Sequence, residues 1–152
     1  MTDETALAEV VARLRRAMRR AARSADPDNP LSVAQLELLS CIGENPGARP
    51  SRLAQLLKLA PNSVTTMANG LRTRELVTRT GGGEDRRTVA LALTPAGEDA
   101  VRQWQAHNAE ILHAATERLH PAWQHLLTAS LPALGELVAA IDGLVLEDLA
   151  EE

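Results

Sequence analysis

The chain has 152 residues, with 16 basic against 20 acidic side chains, 45% hydrophobic residues and neither Phe nor Tyr. That length suits one compact domain, residues 1–152, and a single cysteine excludes a disulfide framework. The acidic balance alone would argue against a nucleic-acid partner, yet the charge is unevenly distributed: residues 1–48 hold six basic and seven acidic side chains, residues 49–93 eight and three, and residues 94–152 two and ten.

Met1 to Glu9 is polar and acidic, and no run is expected to approach the roughly 18 apolar residues of a membrane span. A cytoplasmic location without a membrane partner is therefore expected. In the first helix Leu7, Val10, Val11, Leu14 and Met18 recur on one face, while Arg13, Arg15, Arg16, Arg19, Arg20 and Arg23 cover the other side. The plainest reading of those arginines is a solvated face with some benefit from the helix dipole. The second helix opens at Ser32, with Gln35 completing a capping box, and Gly43 with Pro46 is expected to close it. Cys41 lies beside Leu38, Leu39 and Ile42 and reads as a buried structural thiol.

A short helix carrying Leu53, Leu56 and Leu57 follows, then one that starts at Pro61 and runs to about Arg74. Val64, Met67, Ala68 and Leu71 mark the inner face of this fourth helix. Its other face presents Asn62, Ser63, Thr65, Thr66, Asn69, Arg72 and Thr73, with no carboxylate before Glu75. A polar outer face is ordinary for an amphipathic helix; one made of amides, hydroxyls and guanidinium also suits the major groove. Leu76–Thr80 and Thr88–Leu93 read as two strands around the tip GGGEDRR, where Asp85 can orient Arg86 or Arg87 toward a minor groove or its phosphates. A solvated surface ion pair is the plainer account of those three residues. Thr94 and Pro95 open a fifth helix carrying Val101, Trp104, Ile111, Leu112 and Leu119, which His120 and Pro121 end. The last helix carries Leu126, Leu127, Leu131, Leu134, Leu137, Val138, Ile141 and Leu144, with a kink expected at Pro132.

The expected fold is thus mainly α: about six helices and a two-stranded wing. Together LSVAQLELLSCI, RPSRLAQLLKLAPNSVTTMANGLRTRELVTR and GGGEDRRTVALALTPAG resemble the MarR family of bacterial transcription regulators, and the similarity extends over nearly the whole chain. The resemblance implies a winged helix-turn-helix lobe over 31–94 and a helical dimerisation lobe from 1–30 and 95–152. It implies a homodimer that binds a pseudo-palindromic double-stranded DNA operator, most simply as a repressor. Base reading would fall to Asn62, Ser63, Thr65, Thr66 and Asn69, wing contact to Arg86 or Arg87 supported by Asp85, and phosphate contact to Arg72 and Arg74. It further implies a small aromatic or anionic effector, for which Arg16 or Arg20 is the carboxylate-binding candidate and Trp104 and His113 possible walls.

Nothing in the sequence supports an enzyme: there is no Gly-rich phosphate loop, no GxSxG and no paired acids at a strand end. His107, His113, His120 and His125 lack the close pairing of a zinc site, so neither metal nor cofactor is expected. Two rival readings make different predictions. A redox switch at Cys41 requires oxidation to release DNA, and a helical interaction module requires no DNA binding at all.

Overall fold

The computed structural model describes residues 1–81 and 89–150, with side chains through 144. Its elements are α1 (Asp3–Ala25), α2 (Val33–Glu44), α3 (Pro50–Leu57), α4 (Pro61–Thr73), β1 (Val77–Thr80), β2 (Ala90–Leu93), α5 (Pro95–Thr116) and α6 (Pro121–Ala150). Two compact units, Met1–Ile111 and Leu112–Glu152, divide within α5. Asp85, Arg86 and Arg87 lie outside the described residues.

In the first unit the α2 capping box forms in full: Ser32 Oγ accepts from the Gln35 amide at 3.2 Å, and Gln35 Oε1 accepts from the Ser32 amide at 3.0 Å. The close of this helix differs from expectation. Gly43 is still helical, α2 runs to Glu44, and the left-handed glycine is Gly47, with φ 78°. The Asn45 backbone amide donates to the Cys41 carbonyl at 3.1 Å and its side-chain amide donates to the same oxygen at 2.9 Å, so Asn45 closes the last turn twice over.

α2, α3 and α4 bury Leu38, Leu39, Ile42, Leu53, Val64 and Leu71 together, and β2 adds Leu91. Truncating one of these, such as Leu71→Ala, should cost about 2–5 kcal/mol. β1 and β2 pair antiparallel, Val77 opposite Leu93 and Thr80 opposite Ala90. Val77, Val89 and Leu91 turn inward as the alternation requires. The Leu91 amide also donates to the Ala48 carbonyl at 3.2 Å, which ties the wing to the residues leading into α3.

In the second unit α5 ends at Thr116, a turn earlier than the apolar pattern suggests, and His120 Nδ1 accepts from the Ala122 amide to cap α6. The helix continues on both sides of Pro132. One expectation must be corrected: by length and composition alone, Pro121–Leu144 is apolar enough to cross a membrane. Counting uninterrupted apolar runs missed this, because Gln124, His125, Glu136 and Asp142 break the run without outweighing its leucines. Trp123, Leu126, Leu131, Val138 and Leu144 are all exposed on it.

Candidate nucleic-acid interface

α3 and α4 are joined by a turn that needs no glycine. Lys58 takes the left-handed conformation at φ 52°, and the Leu59 amide reaches back to the Ala54 carbonyl at 2.9 Å, a Schellman closure. Pro61 then starts α4 with its φ already set. The N-cap, Ala60, offers no side-chain acceptor, so the first amides of α4 have no cap from the side chain before them.

Val64, Ala68 and Leu71 anchor the inner face of α4, with Met67 half-buried. Anchoring them leaves Asn62, Ser63, Thr65, Thr66, Asn69, Arg72 and Thr73 exposed along one side, with Arg74 exposed at the C-cap. All seven residues assigned to DNA from this helix therefore share an open surface. Three of the hydroxyl protons on this helix are already engaged: Thr65, Thr66 and Thr73 donate to the Pro61, Asn62 and Asn69 carbonyls at 3.0, 2.9 and 3.0 Å. Their outward chemistry is therefore a methyl group and an oxygen lone pair. Such a surface meets a thymine methyl or accepts from a base amino group more readily than it donates.

The orientation of α4 is set at two close approaches. A Cβ on Gly70 would stand 3.3 Å from Gln35 Nε2, so the residue that completes the α2 capping box also packs on α4. At the other end Glu75 is left-handed at φ 60°, and the Leu76 amide donates to the Leu71 carbonyl at 3.0 Å, turning the chain directly into β1. Thr94 locks that turn: its hydroxyl donates to the Glu75 carbonyl at 2.7 Å and accepts from the Gly97 amide at 3.0 Å, while its amide donates to the Leu76 carbonyl at 3.1 Å. Thr94 to Gly97 is thus the joint between wing and α5. Sequence reading took it for a helix start and missed its grip on Glu75; the pairing of a Thr-Pro-x-Gly with a non-glycine turn nineteen residues earlier has no local signature.

The four effector candidates occupy three places. Trp104 lines a cleft of about 930 Å³ together with Arg23, Asp26, Arg74 and His107. His107 Nε2 is buried there without a hydrogen-bond partner among the described residues. Arg16 and Arg20 line a separate depression with Arg13. His113 is exposed, 3.5 Å from Glu117. Arg23, Arg74 and His107, which sequence reasoning did not assign to an effector, line the same cleft, as do the carboxylates of Asp26 and Asp28. Cys41 is buried, and desolvation, followed by the negative charge of Glu44, pushes its thiol above the ordinary value. A protonated, buried thiol is a poor nucleophile and a poor sensor.

The packed helix pair, the exposed polar face of α4 and the two-stranded sheet define a winged helix-turn-helix protein. Residues 31–89 match the MarR family model. Over that segment the chain is similar to the MarR family. The HTH-type transcriptional repressor MdtR of Bacillus subtilis (strain 168) is 34% identical over 68 residues, covering 45% of this chain and 44% of MdtR. An uncharacterized HTH-type transcriptional regulator of the same organism, YhbI, is 36% identical over 73 residues, 48% of this chain and 47% of YhbI. The chain thus spans about half the length of the curated relatives it matches. Among solved structures, a putative transcriptional regulator from Pseudomonas aeruginosa PA01 superposes with a TM-score of 0.75 at 24% identity, covering 90% of this chain and 92% of that one. FabT from Streptococcus pneumoniae, solved in complex with DNA, gives 0.67 at 18% identity over 91% and 99%. At these identities the superpositions establish a shared fold.

Proposed function

We propose that this protein is a sequence-specific DNA-binding transcriptional regulator, a repressor that binds a pseudo-palindromic operator as a homodimer and is released by a small effector. The observation that carries the reading is the outer face of α4, exposed over its whole length and free of carboxylates. In it Asn62, Ser63, Thr65, Thr66 and Asn69 read base edges while Arg72 and Arg74 hold phosphates; Arg86 or Arg87, with Asp85, reaches the minor groove from the wing. The exposed apolar stripes of α1 and α6 are covered by a second copy, because two half-sites about one DNA turn apart require a two-fold protein. The effector is a small anionic or aromatic molecule. Trp104 gives the cleft a stacking surface, and Arg23 and Arg74 give it two cations beside the carboxylates of Asp26 and Asp28; Arg74 also stands at the C-cap of α4, so occupancy there bears directly on that helix. A cytoplasmic location accords with such a role.

The test is fluorescence anisotropy on the promoter DNA flanking the gene, against a scrambled duplex of equal composition at several salt concentrations. A preference of about a thousandfold or more, falling steeply with salt, is expected. Equal weak binding to both duplexes would refute operator recognition there. Sedimentation in buffer without detergent separates a dimer from a protein that needs a bilayer to cover α6.

A further inference from the structure

We propose that Glu37, gripped by Arg19 and Arg15, is a positioning residue that fixes the separation at which two copies of α4 meet DNA; this rests on the dimeric DNA-binding reading above. Among the described residues Ala22 is the single buried residue of α1, so apolar packing holds that helix only lightly to α2. The other tie is ionic. Arg19 Nη2 donates to both carboxylate oxygens of Glu37, at 2.8 and 2.9 Å, and Arg15 Nη2 lies 3.9 Å from the second oxygen.

Glu37 is built into the rigid part of the lobe. It stands between Leu36 and Leu38, both buried, and two residues from Gln35, which packs on Gly70 of α4. A stiff path therefore runs from α1 through Glu37 and α2 to α4. At its far end α1 carries Leu7, Val10, Val11 and Leu14, exposed and suited to a second copy. Rotation of α1 about the ion pair would swing one recognition helix relative to the other. With Arg19 43% and Glu37 34% exposed, the pair contributes little to stability, so its loss loosens the joint without unfolding the lobe.

Half-sites selected by the wild-type protein from a random duplex pool are rebuilt in pairs, with the spacing varied one base pair at a time. Wild type is expected to bind best at one spacing. Glu37→Gln should lose about fivefold at that spacing, equivalent to the upper range for such an ion pair, while binding an isolated half-site and sedimenting as wild type does. Arg19→Lys, which keeps the charge, should retain most of the peak. Should Glu37→Gln fail to fold, Arg19→Gln carries the same expectation, with Arg15 still beside the carboxylate. An unchanged spacing profile would overturn the proposal. So would an equal loss at every spacing and on the isolated half-site, which would make the pair merely structural. A wild-type protein that selects no duplex at all would instead refute the DNA-binding reading beneath it.

Discussion

Replacing Gly97 by alanine would place a methyl carbon 2.1 Å from the Leu76 carbonyl oxygen, 1.3 Å short of the 3.4 Å at which ordinary contact begins. The oxygen cannot retreat freely, since it accepts from the Thr94 amide at 3.1 Å and its peptide adjoins the Glu75 carbonyl held by the Thr94 hydroxyl at 2.7 Å. Opening the joint costs about 1 kcal/mol for each of two hydrogen bonds and about 1–3 kcal/mol of overpacking. Alanine returns about 1 kcal/mol of helix propensity. The net expectation for Gly97→Ala is a destabilisation of about 2–4 kcal/mol, read in thermal unfolding as a melting point lowered by roughly 5–15 °C. Because the same joint sets the exit angle of α4, operator affinity should fall even in the folded fraction. A variant that melts at or above the wild-type temperature would show that the joint yields cheaply and that Thr94 to Gly97 is only a helix start.

Asn69→Ala should relax discrimination at particular base pairs by about 1–3 kcal/mol, whereas Arg72→Ala should weaken all duplexes alike and flatten the salt dependence by about one phosphate contact; equal losses across operator variants for both would contradict this division. Glu75→Gly relieves a left-handed non-glycine conformation at some cost in chain entropy and should stabilise by about 0.5–1 kcal/mol, measured by urea unfolding, with DNA binding undiminished by loss of the nearest carboxylate. The Cys41 thiol should react with a disulfide reagent at neutral pH only as fast as the fold opens, and Cys41→Ala should leave DNA affinity unchanged; rapid labelling of the native protein would revive a redox role. Its raised value sets a direction for pH as well. The folded state favours the neutral thiol, so its contribution is fully present below the ordinary thiol range of about 8.5 and is lost as pH rises through the higher folded value.

Much of the winged helix-turn-helix segment is legible in the chain because it rests on short-range rules. The Ser32–Gln35 box, Pro61 at the first helical position and the 3.6-residue spacing of Val64, Ala68 and Leu71 are each decided by neighbours within two turns. What escaped prediction depends on pairs distant in sequence. Thr94 on Glu75, Leu91 on Ala48 and Arg19 on Glu37 are joined only once the core has closed, and their residue types have commoner uses elsewhere. The effector assignment shows the same limit. Arg16 and Arg20 are effector candidates through the family resemblance alone, because a helix face does not reveal which cavity it borders; in the structure they line one depression, while Arg23, one turn further on, lines the cleft that Trp104 also lines. The membrane-spanning composition of α6 was missed for a different reason, since a count of unbroken apolar residues is blind to a helix whose few polar groups are well separated.

The apolar residues left uncovered on α1 and α6 carry a consequence for how much protein a measurement requires. A helix of 23 residues with one buried side chain has little packing of its own to offset the entropy of ordering it. Cover supplied by a second copy enters by mass action, so resistance to unfolding should climb with the logarithm of protein concentration and no single melting temperature would describe the molecule. On the dimeric DNA-binding reading proposed above, dilution would do what the proposed effector does, emptying DNA sites by dissolving the pair before any ligand binds.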